Sequence, residues 1–222
     1  MSSSSVLQAL GKFLPVNYQK GINTSALSGC PYHLGDFAQG GVIIFLTHDG
    51  MHGLVAAIED ASPPQGVIWS TVNDPTNANK FYPLPYSTPS APYSQYYAGS
   101  ENQQKIQQIP GWEITYPAFK EAAYYTKTVN GITYDDWFLP SSSELSLMFA
   151  MREIINQVSL ANNGDALLNV EFTGANFPAS IYWSSREVES NSTYAWALGF
   201  FLGIQINGNE DNPCAVRCVR AF

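Results

Sequence analysis

Few residues in this 222-residue chain have a type and spacing that could do chemistry. Cys30, His33, His48 and His52 carry thiol and imidazole groups of the kind that hold zinc, which takes four such ligands in a tetrahedron. Their spacing matches no standard finger. His48 and His52 also fall in a turn rather than on one helix face, so structural roles are expected. Cys214 and Cys218 would act as a thiol pair only if their sulfurs met, and four residues of one strand span about 13 Å, beyond the ~7 Å between Cα atoms that a disulfide allows. Cys30 could reach one of them, leaving the other as a buried thiol. The adjacent carboxylates Glu59 and Asp60, like Asp135 and Asp136, would face opposite sides of a strand, which prevents paired acid–base work. The chain lacks a Gly-x-Ser-x-Gly elbow, a phosphate loop and a His-Glu-x-x-His pair. We expect no enzyme and no catalytic residue.

Two sets of polar residues suggest binding instead. Asn207, Asn209, Glu210 and Asp211 lie in an oxygen-rich loop, and Ca²⁺ favours six to eight oxygens. The same Asn-Gly-Asn run is ordinary hairpin chemistry, so no cofactor is expected, with Ca²⁺ the weak candidate. Lys120 and Lys127 are seven residues apart, which puts them on one face if one helix carries both. Lys105, on a preceding helix, would complete a basic patch able to meet sulfate groups through charge-assisted contacts. A solvated surface is the plainer reading of three lysines.

The elements that must position these groups are predominantly β. Gly40-Gly41 precedes Val42-Ile43-Ile44-Phe45-Leu46, turn residues follow, and residues 54–58 return, which predicts a hairpin. Val67-Ile68-Trp69 reads as a short strand. Helices are predicted over residues 100–109 and 117–129, the latter with Pro117 at its first position. Ser141 with Glu144 forms a capping box ahead of a third helix running to residue 155. Residues 182–186, 196–206 and 215–222 are aromatic-rich apolar runs joined by polar loops, and predict three strands in an antiparallel meander. Residues 73–98 interleave proline and tyrosine, as a long loop ordered on a surface would. Trp137, Trp183 and Trp196 sit in apolar runs and are expected in the core rather than as sugar-stacking platforms. Arg217 and Arg220 alternate about Cys218 and should sit on sheet faces beside carboxylates.

Bulk properties set the outer bounds. One domain over residues 35–222 is expected, preceded by an arm over residues 1–34. In that arm Val6, Leu7, Leu10, Phe13 and Leu14 fall at helical spacing and form a candidate oligomerisation stripe. Apolar residues make up 45% of the chain, enough for a core, whereas charged residues are only 13%, about half the usual share. That balance, with 13 Tyr, suits a secreted or cell-surface domain. The net charge of −8 argues against a nucleic-acid partner. No run approaches the roughly 20 apolar residues of a membrane span. The Ser-rich start lacks a basic segment and a cleavage pattern, so any export signal is expected outside this chain.

Four motifs in order carry a resemblance: DDWFLPSSSEL from Asp135 to Leu145, YWSS from Tyr182, AWALGF from Ala195 and VRCVR from Val216, with the hairpin after Gly40-Gly41 as a further likeness. Over roughly residues 35–222 the chain resembles the C-terminal domain family of the Legionella collagen-like adhesin. The YWSS and terminal-strand arrangement also looks like the C-type-lectin-like fold. The resemblance implies an α+β, C-type-lectin-like domain: an antiparallel sheet meander with two or three outer helices. It further implies a bacterial surface adhesin, homotrimeric beneath a collagen-like stalk, that binds host glycans such as sulfated glycosaminoglycans. A non-glycan protein-binding or structural module on the same scaffold is the alternative. The chain has no Gly-X-Y repeat, and its acidity is at odds with a polyanionic ligand.

Overall fold

The computed structural model describes residues 31–72, 98–168, 180–188 and 193–222. Cys30 and the stripe of Val6, Leu7, Leu10, Phe13 and Leu14 lie outside the described residues, as does most of the Pro/Tyr segment.

The early hairpin forms as expected. After β1 (Phe37–Ala38), β2 (Gly41–Leu46) and β3 (Gly53–Ala56) pair antiparallel, with Ile43 opposite Val55. Its alternation splits one strand pair between two apolar layers. Ile43, Val55 and Ala57 enter a cluster with Trp69, Phe119, Trp137 and Trp183, whereas Val42, Ile44, Leu54 and Ala56 enter another with Met148, Ile155, Tyr182 and Phe200. A sheet buried on both faces needs apolar residues at successive positions, which is what residues 42–46 supply.

Next come α1 (Ala98–Gln107), α2 (Trp112–Thr115) and α3 (Pro117–Tyr124). The helix predicted over 117–129 stops early. Tyr125 turns extended (φ −65°, ψ 133°), and β4 (Lys127–Val129) pairs with β5 (Ile132–Tyr134). The cause is local: Asn130 and Gly131 both take positive φ, 52° and 81°, as a two-residue hairpin turn requires. The predicted capping box is present before α4 (Ser142–Ala150): the Ser141 N–H donates to Glu144 Oε2 at 2.6 Å, and the Glu144 N–H donates to Ser141 Oγ at 3.3 Å. The helix breaks at Met151, and α5 (Arg152–Ala161) follows as a separate element. The described residues thus hold five helices, not two or three.

The C-terminal third departs from the predicted meander. The run 196–206 is two strands, β7 (Tyr194–Gly199) and β8 (Ile204–Asn209), turned at Gly203 with φ 70°. With β6 (Ile181–Glu187) they form a three-stranded antiparallel sheet. The terminal run belongs elsewhere: β9 (Val219–Ala221) pairs with β3 in a sheet of order β1-β2-β3-β9. Leu54, Val55 and Ala56 are fully buried, so the outer edge of β3 cannot turn to water for its hydrogen bonds and takes a strand instead. On the way, residues 214–218 stitch the sheets together. Ala215 exchanges backbone hydrogen bonds with Ile181 and Trp183, Cys214 with Val67, and the Cys218 carbonyl accepts from Ala57.

Candidate functional site

The residues singled out for chemistry are dispersed. Among the described residues no group of three or more His, Cys, Asp and Glu is placed to hold a metal. His33 Nδ1 lies 3.4 Å from Asp36, and His48 and His52 are exposed in the β2–β3 turn. Cys214 and Cys218 are buried free thiols, and burial pushes both well above the ordinary thiol range. That is the reverse of what a reactive thiol needs. Glu59 pairs with Lys127 and Asp60 with Arg217, so these adjacent carboxylates do serve different neighbours. Arg220 pairs with Asp136, and both arginines of the terminal run have the carboxylate partners that alternation suggested. Trp137 and Trp183 are buried, whereas Trp196 is half-buried beneath Arg186.

The residues of the oxygen-rich loop do not share one loop. Asn207 and Asn209 are on β8, Asn209 Oδ1 accepts from the Asp211 N–H at 3.0 Å, and Asp211 is exposed. Glu210 turns inward and is 1% exposed. Burial, then the charges of Glu187 and Asp211, push its carboxyl up to about 8. Glu187 and Glu210 instead form a buried acidic corner facing Tyr116, whose hydroxyl burial and these same two carboxylates hold above its ordinary range. No sequence signal marks this corner. β-Sheet register creates it, setting Glu187 opposite Ala195, Ala195 opposite Gly208, and Glu210 just beyond.

The predicted lysine patch is reshaped. Lys105 on α1 and Lys120 on α3 are exposed. Lys127 is on β4, not on the helix of Lys120, and its ammonium lies 2.6 Å from Glu59 Oε1. Its side chain is 20% exposed. The pairing Val129-Asn130-Gly131-Ile132, flanked by threonines, was the sequence signal for this hairpin.

The sequence pattern of the Lcl C-terminal domain family matches residues 61–220, most of the chain. The chain belongs to that family. The described residues mix helices with antiparallel sheets, and β1, β2 and β3, which precede the matched stretch, pair into the sheet that β9 completes. No curated protein sequence matches the chain. Among solved structures, a fimbrial protein from Bacteroides ovatus ATCC 8483 is similar at 15% identity with a TM-score of 0.45, over 77% of this chain and 36% of that one. The Lcl C-terminal domain thus spans about a third of that protein's length. No helix among its described residues is long and apolar enough to cross a membrane.

Proposed function

We propose that this chain is a non-enzymatic adhesin domain, exported to the bacterial surface, that binds host glycans with sulfated glycosaminoglycans as the leading class. The observation that carries the reading is membership of the Lcl C-terminal domain family over residues 61–220. In this proposal the scaffold is C-type-lectin-like and spans residues 35–222, and the arm of residues 1–34 joins three copies through Val6, Leu7, Leu10, Phe13 and Leu14. Lys105 and Lys120 are the main cationic contacts, because both are exposed. Lys127, held by Glu59, contributes less. At ~0.15 M salt the Debye length is near 8 Å, so a local lysine contact can outweigh the acidic remainder of the domain. Three copies would multiply a weak contact through avidity.

The test is a glycan array at low and physiological salt, with a Lys105→Glu/Lys120→Glu variant beside the wild type. Binding to heparin-like chains should weaken as salt rises and drop in the variant, with an unchanged melting temperature. Equal binding by the variant would remove the lysines from the site. A second reading, a protein-binding module on the same scaffold, is favoured by the β7–β8 hairpin tip. There Phe201, Leu202 and Ile204 are 42%, 66% and 52% exposed. Absence of glycan binding at any salt would make that reading the better one.

A further inference from the structure

Most aromatic pairs among the described residues meet edge to face. Trp69, Tyr116 and Phe119 meet edge to face in the core, with interplanar angles of 77° to 88°. The same holds for Tyr125 with Trp137 and for Phe149 with Phe200. Trp112 and Tyr124 differ: their rings are near parallel at 25°, with centroids 6.4 Å apart, at the surface. Edge-to-face and offset-stacked contacts both suit the ring quadrupoles. A near-parallel pair at the surface also presents flat ring area to the solvent.

Local structure sets this pair. Gly111, at φ 74°, turns the chain after α1 so that Trp112 opens α2, and the Tyr116 N–H donates to the Trp112 carbonyl at 2.7 Å. Pro117 then starts α3, which ends at Tyr124. Trp112 is half-buried against the core and therefore fixed, while Tyr124 is 60% exposed. With their centroids 6.4 Å apart the two rings are offset, and the 60% exposure of Tyr124 leaves much of its ring in water. Lys120 is one helical turn before Tyr124, on the same face of α3.

We infer that Trp112 and Tyr124 form a stacking platform for a pyranose ring of an anionic glycan, with Lys120 placed to meet its sulfate or carboxylate. The inference rests on the glycan-binding reading and gives that reading a site. A pyranose carries C–H groups on its faces and hydroxyls around its rim, so an aromatic surface can cover the face while the rim stays hydrated. Tyrosine and tryptophan supply such contact area at low conformational cost because they have two side-chain torsions. The cation beside the platform selects an acidic sugar over a neutral one. Glu121, next to Lys120, opposes the anion and limits affinity.

The experiment is titration of a defined sulfated heparin hexasaccharide into the full chain, at low and high salt. Tyr124→Ala should weaken binding about three- to tenfold, by a factor that persists at high salt. Lys120→Gln should weaken it by a factor that shrinks as salt rises, and Glu121→Gln should tighten it. Tyr124 is exposed enough for the alanine variant to fold, and Tyr124→Phe, which keeps the ring, should bind like wild type. An unchanged affinity in Tyr124→Ala, with loss in Lys105→Glu/Lys120→Glu, would overturn the platform and leave the glycan reading standing. No binding by the wild type at either salt would overturn both. Binding of a proline-rich peptide in place of the sugar, lost in Tyr124→Ala, would overturn the sugar assignment.

Discussion

Arg217 Nε donates to Asp60 Oδ1 at 2.6 Å from a side chain that is fully buried. The same guanidinium donates to the carbonyls of Ala57, Asp165 and Ala166, and Asp60 also accepts from the Tyr182 hydroxyl at 3.3 Å. One cation thus ties the end of the β3 segment to the chain after α5 and to β6. Removing one partner of a buried pair strands the other, at a cost of about 3–5 kcal/mol. Arg217→Ala should therefore lower the denaturant midpoint severely. Arg217→Lys should rescue little, because one ammonium cannot reach the same set of acceptors. A midpoint close to wild type in Arg217→Ala would remove this hub from the account of stability.

The fold should lose stability as pH rises from acid to mildly alkaline. Burial pushes Glu144 up to about 8, and Glu210 is also pushed up to about 8. Both lie above the ordinary carboxyl value of about 4.3 that applies in the unfolded chain. A group raised in this way stabilises fully below its unfolded value, and the contribution is lost as pH climbs through the folded one. The melting temperature should fall between about pH 5 and pH 8 for this reason. Glu210→Gln should flatten the fall, and a profile with the same slope in that variant would count against the buried acidic corner.

Ser141→Ala should cost about 1 kcal/mol, the usual worth of an N-cap hydroxyl. Ser141 Oγ accepts the Glu144 N–H, and the alanine leaves that amide without its cap. Ser141→Asp should recover less than a surface cap would, because Ser141 is itself buried. Thermal melts of the two variants measure this, and an alanine variant indistinguishable from wild type would show the cap to be idle.

Cys214 and Cys218 should resist thiol reagents in the native state. Both are 0% exposed, and burial disfavours their thiolates. Labelling with a thiol-specific dye, followed by peptide mapping, should find both sites unmodified until denaturant is added. Rapid native labelling at either position would mean that the terminal run opens readily from the sheets.

The features legible in the sequence were those whose partners lie a few residues apart. Ser141 and Glu144 cap each other across one turn, and residues 41–56 pair through a short hairpin, so composition and spacing were enough for both. The Asn130-Gly131 turn was equally local. Two positive-φ residues end any helix, so residues 127–129 pair across the turn as a strand in place of the expected helix end.

Other relationships depend on partners far along the chain. The run 215–222 has the strand character its residues suggest, but its partner is chosen by the buried free edge of β3, more than 160 residues upstream in sequence. Glu187 and Glu210 come together only when β6, β7 and β8 align in register, and Trp112 meets Tyr124 only after the turn at Tyr116 brings α2 against α3. Local preferences decided by themselves which segments became strands and helices, because backbone torsions and caps act over a few residues. Which edges met, which charges were buried and which rings were left facing water was decided by the tertiary structure, because those outcomes depend on how much surface each element loses to the others.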